Sequence, residues 1–489
     1  MLQKIATSDR IVYTASIGFA LLCCIGIATE NFWILGLPIA VAVVLMAVYR
    51  LDLMMLFCVI LTPLSINLQE TPLGIGVSLP SEPLMFGLML LFLASQLHKG
   101  DLDRKLLFHP ISILILLHLA WMIITSMTST MLDVSVKATL ARICFVTVFF
   151  YLVGTYFRQT KNIKSFIWCY CVPLLVVIIY TTAAHASAGF TERAAHTVMK
   201  PFYNDHTAYA AVIAMFVPIM IAFIDDRAAS KNARTFAVIT LCMLVLAIVL
   251  SYTRAAWVSL VAAFLCYGVI ALRIKTSLVV AGAVAFIGIV LFNWTAITME
   301  LERNEEQSSS DYASHVQSVS NITTDASNVE RINRWGSAIR MFEEKPFLGW
   351  GPGTYMFQYA PFQKFSERTI ISTNFGEGGN AHSEYIGPMA EQGILGSLLF
   401  IALGIASVYY ASRIIIRSKN RQVRLLAKGI LFGLITYLVH GFLNNFLDTE
   451  KASVPFWGFV AAIVALDIYS SRMEEKDTAI EVDSGETNA

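Results

Sequence analysis

Apolar runs long enough to cross a bilayer recur along almost the whole of this 489-residue chain, and the charged side chains are confined to the stretches between them. An α-helix needs about 20 residues to span the hydrocarbon core, so the alternation fits a helical membrane bundle and excludes a single water-soluble domain. Composition agrees, since 56% of the residues are apolar and 14% charged, too little charge for a surface that faces water on all sides. The formal net charge is +1, and the basic residues are scattered over short segments with no continuous basic face, which speaks against a nucleic-acid partner. Cys23, Cys24, Cys58, Cys144, Cys169, Cys171, Cys242 and Cys266 all fall inside apolar runs. There they act as small hydrophobes and offer neither a disulfide framework nor a zinc cluster.

Fourteen runs can be delimited: 11–28, 32–49, 53–67, 84–97, 111–128, 139–157, 165–184, 206–224, 235–251, 254–272, 277–293, 393–411, 425–446 and 454–470. The expected fold class is therefore all-α, a polytopic bundle of about 12 to 14 transmembrane helices with one large loop subdomain between the eleventh and twelfth spans. Residues 1–294 and 393–471 are expected as the two transmembrane parts, 295–392 as the loop with amphipathic helices, and 472–489 as an acidic disordered tail. The first run follows Lys4 and Arg10 and lacks a small-residue cleavage site, so it reads as a retained helix and not as a signal peptide. Run 53–67 is short and ends in the Pro63 to Gln69 stretch, which leaves a re-entrant segment open.

Lys and Arg crowd alternate connections, most densely at Arg413, Arg417, Lys419, Arg421 and Arg424, whereas the intervening short connections hold only Lys137, Arg193, Lys200, Arg254 and Lys451. Cytoplasmic connections are the enriched ones, so both termini are expected in the cytoplasm and the large loop outside. Within that loop, 302–328 is rich in Ser, Asn, Glu and Gln and reads as flexible. Val329, Ile332, Trp335, Ile339 and Phe342 then recur at helical spacing, predicting an amphipathic helix over 328–344 that Pro346 ends. Gly349-Trp350-Gly351-Pro352-Gly353 is a turn cluster, and a second helix is expected from near His382 through Glu391.

Ionisable groups near a membrane are costly and therefore informative. No Asp or Glu falls near the middle of any run, which weakens an ion-coupled transporter. Arg193, Lys200, Arg254 and His382 all belong to the outer side. Guanidinium forks and an ammonium suit a diphosphate, so an anionic lipid headgroup is a natural ligand for such a set. Each has a plainer reading beside it. Arg254 serves equally as an interfacial anchor, Arg193 and Lys200 as ordinary loop charges, and His382 as a structural histidine near a helix start.

Three stretches carry a resemblance: Ser251 to Trp257, RINRWGSAIRMFEEKPFLGWGPGTY at 331–355, and HSEYIGPMAEQGILG at 382–396. With the large loop before the last helices, their order resembles the O-antigen ligase and O-antigen polymerase superfamily of bacterial inner-membrane glycosyltransferases. The resemblance implies transfer of a glycan from an undecaprenyl diphosphate carrier, without cofactor or metal, at the periplasmic face. The implied acceptor is lipid A core or another glycan. Carried over by position, His382 resembles the family's loop histidine and general base, Arg254 its helix-end arginine, and Arg193 its arginine in the preceding outer loop. Around Arg193 the local pattern departs from the family's, and Lys200 or His206 can share its role. A polymerase of the same superfamily is the alternative enzyme, and a polysaccharide-lipid flippase the alternative outside enzymes.

Overall fold

The computed structural model describes residues 16–30, 43, 46, 49–68, 77–100, 102–293, 326–365, 372 and 379–486. The chain is a polytopic helical membrane bundle. Its first described helices are α1 (Ser16–Ala28), α2 (Leu51–Leu61), α3 (Ser81–Lys99), α4 (Pro110–Met127), α5 (Leu132–Tyr156) and α6 (Thr160–Ser187). A single turn, α7 (Glu192–Ala195), precedes α8 (His206–Asp225), α9 (Lys231–Leu250), α10 (Arg254–Ala271) and α11 (Thr276–Phe292). The loop subdomain contributes α12 (Ala326–Glu344), and the chain closes with α13 (Ile386–Arg417), α14 (Arg421–His440) and α15 (Glu450–Glu486).

Among the described residues nine helices are long and apolar enough to cross a membrane: α4, α5, α6, α8, α9, α10, α13, α14 and the Glu450–Ser470 part of α15. The expected span 53–67 is replaced by something else. Its helix, α2, has 11 residues and rises only about 16 Å. The chain then turns into a small antiparallel hairpin of β1 (Ile66–Leu68) and β2 (Val77–Leu79). Run 277–293 is a 17-residue apolar helix, and run 84–97 lies within α3, whose ends carry Glu82, His98 and Lys99. Most of run 32–49 and the Ser- and Asn-rich stretch of the loop through residue 325 lie outside the described residues. α15 runs on to Glu486 through the acidic segment. From Ser471 to Val482 that segment has neither Gly nor Pro to stop a helix.

Position in the bundle follows from which faces are apolar. α15 is apolar all round over Val454–Leu466 and is buried over 89% of its apolar window, so it forms the centre. α10 is buried over only 22% of its window and turns Phe264 and Leu265 outward, as a lipid-facing rim helix does. α8 and α14 pack closely because Gly429 and Gly433, one turn apart, let backbones meet. A Cβ on Gly433 would strike the Met215 carbonyl, and one on Gly429 would press on Ile219 Cα.

Candidate functional site

The loop subdomain is fastened to the bundle by a break in α13. Gly393 has φ +68°, a left-handed conformation suited to glycine, and it interrupts the helical hydrogen bonds. Each carbonyl released on the N-terminal side finds an outside donor. Trp350 N–H donates to Ala390 at 3.0 Å, Gly351 N–H to Glu391 at 2.7 Å, and Trp121 Nε1 to Gln392 at 2.8 Å. The Glu391 carboxylate accepts from the N–H groups of Gly353 and Tyr355 at 2.9 and 3.0 Å. The expected Gly349–Gly353 turn cluster is therefore what docks the loop.

His382 stands in the left-handed region at φ 48°, which few residues other than glycine adopt. Its N–H donates to Asn380 Oδ1 at 3.1 Å, and its carbonyl accepts from Trp335 Nε1 at 3.4 Å. Ser383 Oγ, accepting from the N–H groups of Tyr385 and Ile386, starts α13 immediately behind it. Glu384 is buried, with its carboxylate accepting from Tyr437 OH at 2.6 Å and from the N–H groups of Phe446 and Leu447 at 2.8 and 2.9 Å. Burial pushes this carboxyl above the usual range, and three donors hold it in place. Glu384 thus ties the His382 segment to the α14–α15 connection.

The buried face of α12 is not the one that apolar spacing selects. Ile339 is 40% exposed, whereas Glu330, Asn333, Arg334, Ser337, Ala338 and Met341 are buried. The rest of the loop wraps that polar face and pairs most of its groups. Arg334 Nε donates to Glu330 at 2.7 Å, its Nη1 to the Asn380 carbonyl at 3.2 Å, and its guanidinium lies 5.0 Å from the Tyr359 ring centroid. Ser372 Oγ donates to the other Glu330 oxygen. Ala338 and Met341 join Tyr355, Tyr359, Ala381 and Ala390 in a small core of the subdomain's own.

Arg331 and Arg334 bring positive charge to bear on His382. Burial first, then those two guanidinium groups, lower its imidazole to about 4, against the opposing charges of Asp205 and Glu330. The ring is therefore neutral at pH 7. Arg331 is itself placed by donating from Nε to the Leu443 carbonyl at 3.2 Å. Neither Asp205 nor Arg331 is singled out by sequence reasoning. Arg331 stands in a quoted motif, and its position one turn before Arg334 is the signal that could have found it.

Asp205 caps α8, accepting from Thr207 N–H at 2.9 Å and Thr207 Oγ1 at 2.6 Å, and lies 3.2 Å from His206 Nδ1. Burial alone would raise its carboxyl, but the bonds from His206 and Thr207 outweigh that and lower it. The α9–α10 turn reaches the same place: Thr253 Oγ1 contacts the His206 carbonyl at 3.5 Å, which sets Arg254, half-buried at the start of α10, beside the start of α8. The structure thus joins His382, Asp205, His206 and the Arg254 turn into one neighbourhood. Arg193, on α7, and Lys200, farther along the same connection, are both exposed. His206 also stacks on His196, with ring centroids 4.3 Å apart. Among the described residues no three His, Cys, Asp or Glu side chains gather as metal ligands would.

Residues 236–401 match the sequence model of the O-antigen ligase family. Residues 236–401 therefore form a domain of the O-antigen ligase superfamily. No curated protein matches the chain. The superfamily domain covers α9 through the first half of α13, and so contains Arg254, Arg331, Arg334 and His382, while Arg193, Lys200 and Asp205 lie ahead of it. That domain supports a glycosyltransferase-like ligase or polymerase activity on lipid-linked glycans for this multi-pass membrane protein.

Proposed function

We propose that the chain is an O-antigen ligase-type glycosyltransferase that moves a glycan from undecaprenyl diphosphate to a sugar hydroxyl of lipid A core, at the periplasmic face of the inner membrane. The observation that carries the reading is the half-buried, neutral imidazole of His382 under the influence of the α12 guanidinium groups, within the superfamily domain. In this scheme the acceptor hydroxyl attacks the anomeric carbon and gives its proton to His382. The bond from that carbon to the diphosphate oxygen breaks, and its electron pair leaves with the diphosphate. Attack opposite the leaving group inverts the carbon. Arg254 and Arg331 hold the departing anion, since fixed cations stabilise the charge that develops there. Arg193 and Lys200, exposed on the neighbouring connection, attract the anionic headgroup toward the site.

A base lowered to about 4 is weak in the empty protein, but the donor changes that. A diphosphate against Arg331 cancels part of the positive charge that depresses the imidazole, so the base strengthens as the donor binds. The test is a reconstituted assay with lipid-linked glycan, acceptor and purified protein in detergent without a membrane gradient. Joined product that disappears with His382→Ala is expected. A protein that carries the lipid across vesicles but never joins it to acceptor is a flippase, and that result overturns the proposal.

A further inference from the structure

His440, the last residue of α14, has no part in the scheme above, yet the turn it opens is built into the site. The Gly441 carbonyl accepts from Glu384 N–H at 2.8 Å, and the Leu443 carbonyl accepts from Arg331 Nε at 3.2 Å. Residues 440–443 are therefore wedged between the α12 guanidinium and the segment that carries His382. The His440 imidazole is 1% exposed. One ring nitrogen, Nε2, lies 3.1 Å from Asn444 Nδ2. An amide nitrogen only donates, so Nε2 accepts and the proton of the neutral ring sits on Nδ1. Nδ1 is buried and meets no hydrogen-bond partner among the described residues.

Buried donors in native structures are nearly always satisfied, so an exception of this kind calls for an explanation, and a ligand is one that completes it. The surroundings say which ligand. The charges of Arg331 and Asp205, which act on His382, act on the His440 ring as well. A neutral N–H within the field of a guanidinium is suited to an oxygen of the anionic partner, the same arrangement by which phosphates are held by mixed donors. We propose that His440 is a further substrate-binding residue, donating from Nδ1 to an oxygen of the diphosphate-linked donor that Arg331 holds. This rests on the transferase reading given above.

The two nitrogens can be tested separately. In His440→Gln the side-chain amide reaches the place of Nε2 and keeps the contact with Asn444, but nothing stands at Nδ1. In His440→Asn the shorter amide stands at Nδ1 and the Asn444 contact is lost. Both variants are compared with wild type in the reconstituted assay, per folded molecule by size-exclusion chromatography, using a synthetic polyprenyl diphosphate-linked oligosaccharide as donor. Loss of one hydrogen bond to a charged partner predicts a donor KM raised about tenfold or more in His440→Gln, with acceptor KM unchanged. His440→Asn is expected to stay within about threefold of wild type. The reverse order, or an unchanged donor KM in both, assigns the imidazole to structure alone and overturns the inference while the transferase reading stands. A wild-type protein that joins no glycan overturns the transferase reading itself.

Discussion

Arg193 and Lys200 lie exposed between α6 and α8, whereas on α12 Arg334 is buried within the loop subdomain and Arg331 is half-buried against the α14–α15 connection, each aligned by carbonyl or carboxylate partners. All four cations look alike in a sequence. An exposed cation keeps its side-chain freedom and is screened by salt within about 10 Å, so it attracts anions without fixing them. An enclosed guanidinium acts through a lower dielectric at a set position, and after burial it is the α12 pair that pushes the His382 imidazole down to about 4. At this end of the bundle exposed charge attracts without fixing, while charge with burial shifts a neighbouring titratable group.

The comparison can be broken most directly at its centre. His382→Ala is expected to lower transfer by a factor of about 10³, the range for loss of a general base, with the protein still inserted. A normally active variant removes the enclosed site from the chemistry. Arg331→Lys keeps the charge but loses the fork and the bond to Leu443, and a drop of about 10² in kcat is expected. Glu384→Ala leaves the donors of Tyr437, Phe446 and Leu447 without their acceptor, so thermal unfolding should reveal a loss of about 3 kcal/mol or more.

Acid sharpens the contrast further. His382 has a folded value near 4 against an ordinary 6.5, so between those values the unfolded chain binds a proton that the folded chain refuses. Its contribution to stability is present in full above about 6.5 and declines as the pH falls toward 4, which unfolding midpoints of wild type and His382→Phe across that window would compare. The smallest effect belongs to the exposed set. Arg193→Gln should change transfer by no more than about twofold, and mainly in the salt dependence of donor KM. A hundredfold loss there would erase the distinction between the two sets.

The sequence carried the bundle well where periodicity and length agree: α4, α5, α6, α8, α9, α10, α13 and α14 fall on their expected runs. It failed at 53–67, because hydropathy does not distinguish a crossing helix from a short helix followed by a hairpin. The α12 helix itself was legible, but its buried side was not. Apolar spacing points to Ile332, Trp335 and Ile339, while the loop buries Glu330, Asn333 and Arg334 by giving each a polar partner. Apart from the Glu330–Arg334 pair one turn apart, such pairing is made between residues 30 to 46 positions apart and leaves no local trace. For the same reason His382 was recognisable from its motif, whereas Asp205, in another part of the chain, was not.

One rod serves two purposes in α13. Beyond Gly393 it continues to Arg417, a rise of about 36 Å set against a hydrocarbon layer of about 30 Å. The imidazole of His382 is thus mounted on a fixed-length post whose foot stands on the opposite leaflet. Bilayer thickness then sets the height of the loop subdomain: a thinner or thicker lipid mixture raises or lowers that imidazole relative to the lipid headgroups, and the protein answers by tilting instead of by refolding.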